Sequence, residues 1–359
     1  MLLGDKPPVV VNARFLTQPI SGVQRFAVEI CLRLKQFLPE AKFIAPKNIL
    51  HKDIAEILHV EEYGRLAGHL WEQIELPFFL NATGQPLLIN LCNTGPIWYQ
   101  NKIVCIHDLS FLINPKWFSQ AFSTFYRYTI PLIAKSSKRV LTVSNYSRRT
   151  IVELLGIAES NVDVIYNAVS EDFFSPADVL QNKYGNYILA VGSLDPRKNL
   201  KRLIQAYELC RLADTKLVIV GAGSKIFNDT ALHQLLQGNP SVVLAGYLSD
   251  EELKSTYYHA RLFVYPSMFE GFGIPPLEAM RCGCATVVSK TTSLPEVCGD
   301  ASYYVDPANT EEIAEAIKTL LGNERMRKSL IMKGYNRSLA FSWEESAKKI
   351  VGIIEKNRE

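Results

Sequence analysis

The stretch 265-YPSMFEGFGIPPLEAMRCG-283 decides how the chain is read. It continues an apolar run, 260-ARLFVY-265, whose β-branched and aromatic residues suit a buried strand. Gly271 and Gly273 break that pattern, Pro276 suits a first helical position, and Gly283 suits a helix stop. The expectation is strand, glycine loop and short helix, with Glu278 in the first helical turn. Such a helix start gathers unpaired backbone N–H groups and partial positive charge, so it attracts anions. Glu270 and Glu278 flank it, and carboxylates accept hydrogen bonds from hydroxyls. A phosphate cradle between carboxylates suits a ligand that is part phosphate and part polyol, as a nucleotide sugar is. The same residues also serve dipole compensation and turn formation, and the local spacing leaves both readings open.

The chain has 359 residues, enough for two domains. A net charge of +3 is too small to argue for a nucleic-acid partner. The seven cysteines are odd in number and form no C-x-x-C pair, which suits reduced, buried thiols in a cytosolic protein. Cys282 and Cys284 lack Cys or His partners at zinc spacing, so no metal site is expected. Residues 1–6 lack the apolar core of a signal peptide, and no run approaches the length of a membrane span. The expected location is the cytoplasm, with peripheral attachment to a membrane left open.

Strands are expected at 8–12, 43–45, 87–91, 102–106, 139–144 and 162–165, and helices at 23–37, 117–137 and 146–155. Ser144 should cap the last of these, and Pro131 should kink or break the second. The amphipathic segment 68-GHLWEQIELPFFL-80 should bend or end at Pro77. Its aromatics, with Trp117 and Phe118, are read as core in preference to a membrane or sugar contact. The pattern restarts after a boundary near 170–180. Strands follow at 187–191, 216–220, 242–245, 260–265, 286–289 and 303–305, and helices at 200–212, from Asp250, at 310–321 with Thr310 as cap, and at 343–356. Two successive βα arrays imply an α/β protein of two doubly wound, Rossmann-like domains facing across a cleft. Ligands then bind at the strand carboxyl ends.

Three further motifs bear on chemistry. Gly221-Ala222-Gly223 follows a strand, but Ile226 stands where a dinucleotide fingerprint needs its third glycine, and Gly246-Tyr247 end the next strand without an acidic residue. A nicotinamide dehydrogenase is therefore disfavoured. Arg197-Lys198, in the loop that starts at Gly192, can neutralise a diphosphate or be a solvated basic pair. His107 ends a strand, where catalytic groups gather, although position alone favours a satisfied structural histidine. The chain has no D-x-D, so a diphosphate leaving group would rely on cationic side chains and helix N-termini.

These segments together resemble the retaining glycosyltransferases of the large family four, with the GT-B fold. FEGFGIPPLEAMRCG resembles the E-x7-E signature, GSLDPRKNL the phosphate-binding loop, and SGVQRF the N-terminal glycine loop. KIVCIHDLSFL, LTVSNYSRRTI, VVLAGYLSDEEL and SLPEVCGDAS match further family segments, and GHLWEQIELP is similar to mannosyltransferase-like members. The resemblance implies that Glu278 binds the ribose and that Glu270 sits by the donor sugar with the backbone of Phe272, Gly273 and Ile274. It also implies that Arg197 and Lys198 hold the diphosphate, that Gly22 lets the first loop approach the phosphates, and that His107 lies by the transferred sugar. Gly192 and Tyr247 complete the expected donor contacts. Domains are expected at 1–173 and 174–338, with 339–359 crossing back to the first. The family pattern often has Asn-Gly-Val where this chain has Asn167-Ala168-Val169.

The expected activity is retaining transfer of mannose from GDP-mannose, without metal or cofactor, onto a saccharide or polyprenyl-diphosphate-linked glycan in surface polysaccharide assembly. The nucleotide sugar is a substrate. UDP- or dTDP-linked glucose, galactose or rhamnose are alternative donors, and a non-catalytic nucleotide-sugar-binding protein is the alternative of a different class.

Overall fold

The computed structural model describes residues 8–170, 180–221, 236 and 239–358. The chain divides into two units, Met1–Asn167 with Ser342–Glu359, and Ala168–Phe341. In the first, seven parallel strands are seen among the described residues: β1 (Val9–Asn12), β2 (Lys42–Ala45), β3 (Glu61–Glu62), β4 (Leu87–Asn90), β5 (Lys102–Cys105), β6 (Arg139–Thr142) and β7 (Val162–Val164). Their order is β3-β2-β1-β4-β5-β6-β7, with Val11 opposite Ile89. The chain winds outward from β1, then returns beside it, so the order reverses between β1 and β4. Both strands are buried along their length, as expected of a parallel sheet covered on both faces.

The second unit repeats the plan. Among the described residues it has β8 (Tyr187–Val191), β9 (Lys216–Val220), β10 (Val242–Gly246), β11 (Leu262–Tyr265), β12 (Thr286–Ser289) and β13 (Tyr303–Val305), ordered β10-β9-β8-β11-β12-β13. Here the reversal falls between β8 and β11. Leu203, Ile204, Ile313 and Ile317 of the helices Leu200–Cys210 and Thr310–Gly322 pack with Ile188, Leu217 and Val264 of the sheet. Burying each such side chain contributes roughly 1.5–3 kcal/mol. In the first unit, helix Gly22–Phe37 buries Phe26, Ala27, Ile30, Cys31 and Leu34. The last helix, Trp343–Asn357, packs on it, with the Phe26 and Trp343 rings 5.9 Å apart.

Two prolines do not end their helices. Gln120–Lys135 runs through Pro131, because Ile130, Ile133 and Ala134 around it are anchored in the core. The segment at 68–82 also continues through Pro77. It passes from Gly68–Leu70 through a π-helical turn, Trp71–Glu75, into Leu76–Ala82. Leu76 N–H reaches back to Trp71 O, and the wider turn leaves Pro77 in the first turn of the next segment, where a missing N–H costs little. Asn309, and not Thr310, caps its helix by accepting from Glu312 N at 2.9 Å. Ser144 caps Asn145–Leu155, accepting from Ser147 N at 3.0 Å.

Strand β3 and the helices Lys52–Leu58 and Glu324–Leu339 were not expected. The long one buries only Gly334 and Ser338, so it carries no apolar stripe to read. Trp71 and Phe79 are core residues, whereas Phe78 is 67% exposed and Trp117 and Phe118 are half-buried. Residues 1–6, Ala222, Gly223, Ile226 and most of the loop around Ser175-Pro176 lie outside the described residues.

Candidate functional site

At the reversal of the second sheet, β8 and β11 run side by side. The loop after β8 tightens into a 3-10 turn, Pro196–Lys198, where the Asp195 carboxylate accepts from Arg197 N at 2.8 Å. Asn199 follows at φ 60°, and its Nδ2 donates to Pro266 O at 2.9 Å and Pro307 O at 2.7 Å. Met268 N donates to Arg197 O at 2.8 Å. These bonds tie the β8 loop to the β11 loop and bring Arg197 and Lys198 to Glu270.

Lys198 Nζ donates to Glu270 Oε1 at 2.7 Å and to Tyr265 Oη at 2.6 Å. Tyr265 Oη and Ser267 Oγ donate to the same carboxylate oxygen at 2.9 and 2.6 Å. Arg197 Nη1 stands 3.6 Å from Glu270 Oε2, and Arg197 Nε stands 3.8 Å from Asp195 Oδ2. Glu270 is buried, which alone would raise its carboxyl, but Lys198 and then Arg197 overcome this and hold its pKa at about 2. It is therefore an anion at neutral pH, fixed between two adjacent cations, and not a general acid.

Gly273, at φ 108°, caps helix Ile274–Arg281, and a Cβ there would lie 2.6 Å from Leu294 Cδ2. The helix thus begins two residues before Pro276, and Glu278 stands in its second turn, not its first. Pro275 and Pro276 sit where N–H groups have no helical partner, so both fit. They also leave Ile274 as the only N–H donor among the first three helical residues, fewer than the expected anion-attracting helix start would offer. The buried Tyr257 donates from Oη to Glu278 Oε2 at 2.9 Å. Ser293 Oγ donates to Glu270 O and Phe272 O at 2.9 and 2.8 Å, and Phe272 packs 5.5 Å from Phe341. A Cβ on Gly192 would stand 3.3 Å from Lys198 Cγ, and one on Gly221 only 2.0 Å from Gly192 O. The glycine after β9 is therefore required by close packing on the β8 loop. Tyr247 follows β10 at the sheet edge, is 81% exposed and lies outside the ion cluster.

In the first unit, Gly22 opens the first helix and His107 follows β5. His107 is buried, with its ring edge-on to Phe26 at 4.9 Å. Its backbone N donates to Asn93 Oδ1 at 2.8 Å, and Nε2 lies 2.9 Å from Leu91 O. A carbonyl only accepts, so Nε2 carries the proton and Nδ1 is left as an acceptor. Burial lowers its pKa, so the ring is neutral. Burial also pushes the thiols of Cys92, Cys282 and Cys298 up to about 12, which removes nucleophilic thiolate at neutral pH.

Sequence reasoning found Arg197, Lys198 and Glu270, which the fold brings together, and missed the groups that hold them. Tyr265 lies in the expected strand 260–265, and Tyr257 in the helix expected from Asp250. Their pairing by hydrogen bonds has no signature in spacing.

Comparison with known proteins follows the same division. The description Glycosyltransferase Family 4 matches residues 20–173, and Glycosyl transferases group 1 matches residues 172–337. The chain is 31% identical to O-antigen chain mannosyltransferase B of Escherichia coli, over 91% of this chain and 93% of that protein. It is 25% identical to O-antigen chain mannosyltransferase RfbU of Salmonella typhimurium, over 87% and 90%. Its fold is similar to that of Anabaena HepE, crystallised with UDP and glucose, at a TM-score of 0.77, 18% identity, and coverage of 98% of this chain and 100% of that one. With both halves matched and one relative aligned along nearly its whole length, the chain belongs to the GT-B glycosyltransferase family that includes these O-antigen mannosyltransferases.

Proposed function

We propose that this chain moves mannose from GDP-mannose, with retention of configuration, onto a hydroxyl of a saccharide or polyprenyl-diphosphate-linked glycan. The observation that carries the reading is the cluster of Lys198 and Arg197 around the buried Glu270 at the strand-order reversal of the second sheet. Two cations fixed by one carboxylate are preorganised to take the charge that grows on a departing diphosphate, and need little reorganisation as it does so. Glu270 holds them, Glu278 accepts from the ribose hydroxyls, and the backbone of Phe272, Gly273 and Ile274 borders the sugar. Gly192 leaves room for Lys198. Gly22 and His107 are the first unit's contributions, and Tyr247 is a peripheral donor contact. The sugar passes through an oxocarbenium-like state, and the acceptor attacks the face from which the diphosphate leaves. No metal or cofactor takes part. The names of the relatives, O-antigen chain mannosyltransferases, support mannose and polysaccharide assembly.

Peripheral attachment to the inner face of a membrane is part of the proposal. No helix among the described residues is long and apolar enough to cross a membrane. Residues 115–138 contain Lys116, Arg127, Lys135 and Lys138 and no acidic residue, and Phe122, Tyr128 and Leu132 are exposed there. Such a basic, aromatic surface suits anionic headgroups.

The purified chain should be offered GDP-mannose, UDP-glucose, UDP-galactose and dTDP-rhamnose with a mannosylated lipid-diphosphate acceptor, and the product linkage read by NMR. Transfer from GDP-mannose with an α-linkage is expected. A β-linkage contradicts retention, turnover with another donor replaces the mannose assignment, and nucleotide binding without turnover supports the non-catalytic reading.

A further inference from the structure

The motif 68-GHLWEQIE-75 is left unused by the donor site, yet most of its polar side chains are engaged. Trp71 Nε1 donates to Tyr63 O at 2.8 Å. Gln73 donates to Gly95 O and accepts from Ile97 N, both at 2.9 Å. Glu75 accepts from Arg65 N and Leu66 N. Glu72 is buried, and its Oε1 accepts from Asn12 Nδ2 at 2.9 Å and Arg14 Nε at 3.1 Å. Asn12 Nδ2 also reaches Asn90 Oδ1 at 3.0 Å, and Arg14 Nη2 donates to Thr94 Oγ1 at 2.8 Å. Asn12 ends β1 and Asn90 ends β4. Glu72 is therefore anchored at the reversal of strand order in the first sheet, the place where doubly wound sheets bind ligands.

One member of the motif keeps an unused group. His69 Nδ1 stands 3.4 Å from Glu72 Oε2. Burial alone would raise the Glu72 carboxyl, but Arg14 and then His69 hold it below its ordinary value, so it is ionised and only accepts. Nδ1 thus carries the proton, and in the neutral ring Nε2 is an acceptor that no described residue meets. The imidazole side chain is 35% exposed and lies 4.8 Å from the ring of Phe125, which is itself exposed. Arg14 compensates Glu72, so the cluster has no surplus cation to draw a phosphate. A neutral polyol fits better: one hydroxyl donates to Nε2 while a C–H face rests on the Phe125 ring.

We infer that His69 and Phe125 form a saccharide-binding subsite of the first unit, with Glu72 as the positioning residue that fixes the imidazole. The inference rests on the glycosyl-transfer reading, and it names where the acceptor glycan is gripped.

Two substitutions separate recognition from scaffolding. His69→Asn keeps a donor toward Glu72 and loses the acceptor at the Nε2 position, whereas His69→Gln places a carbonyl near that position and loses the Glu72 contact. Binding of an α-linked mannobiose to the full chain is measured by calorimetry, and acceptor and donor KM are measured in transfer from GDP-mannose. His69→Asn should weaken mannobiose binding and raise acceptor KM about tenfold, the loss of one hydrogen bond, with donor KM and Tm unchanged. His69→Gln should stay within about threefold of the native chain. The subsite is overturned if His69→Asn binds and transfers like the native chain, if His69→Gln falls as far as His69→Asn, or if the native chain binds no mannobiose. Mannobiose binding without transfer from any donor would instead overturn the glycosyl-transfer reading and leave the subsite standing.

Discussion

The two units place a buried glutamate at the same topological position and surround it differently. At the β8/β11 reversal, Glu270 is held by two cations from one turn, Arg197 and Lys198, with Asp195 farther off. At the β1/β4 reversal, Glu72 is held by one cation, Arg14, with an amide from Asn12 and the imidazole of His69. The shared feature follows from the winding, because a reversal of strand order opens a crevice at the carboxyl ends. The difference lies in chemistry. Adjacent cations suit a diphosphate that gains charge, whereas a compensated pair with amide and imidazole groups suits hydroxyls.

The contrast can be broken most severely in the first unit. Glu72→Ala leaves Arg14 buried without its counter-charge and should cost about 3–5 kcal/mol of stability, read from urea unfolding. A loss below about 1 kcal/mol would mean that the pair does not anchor the first unit. In the second unit, Arg197→Met should leave the fold intact, because Lys198 still meets Glu270, yet lower kcat about 10²–10³-fold. Unchanged kcat would remove Arg197 from leaving-group stabilisation.

Acid should separate the stability of the Glu270 cluster from that of a solvated carboxylate. Its pKa is near 2 in the folded chain against 4.5 ordinarily, so its contribution is complete above pH 4.5 and is lost as pH falls toward 2. The integrated contribution is about 3 kcal/mol, and Glu270→Gln should flatten that part of the stability–pH curve. An equally steep curve in the variant would assign the acid sensitivity elsewhere. The smallest effect on turnover is expected at Glu278→Ala, which should raise donor KM about tenfold by removing a hydrogen-bond acceptor, and should also lower Tm, because the buried Tyr257 hydroxyl loses that acceptor. A change in acceptor KM alone would contradict its ribose role.

Much of the fold was legible because the parallel strands are short apolar runs. Lys216–Val220, Thr286–Ser289 and Tyr303–Val305 are read to the residue. Elements without an apolar signal were not, such as the two exposed acids of β3 and the polar helix Glu324–Leu339. Pro131 does not end its helix, and a π-helical turn carries the chain past Pro77. The Glu270 cluster was partly legible, since Arg197-Lys198 and Glu270 each lie in loops marked by glycine and proline. The Glu72 cluster was not. Its partners Arg14 and Asn12 lie 58 and 60 residues away in sequence, and nothing local announces that the end of β1 will meet the turn Trp71–Glu75.

In the proposed function, a second cation makes the β8/β11 crevice a diphosphate site. Lys198→Met tests it directly, since it leaves Glu270 paired with Arg197 alone and so imitates the one-cation arrangement of the first unit. Calorimetric titration of GDP into the native chain and into Lys198→Met should show binding weakened about tenfold or more, with cooperative melting retained. Native affinity for GDP in a folded Lys198→Met chain would contradict the account.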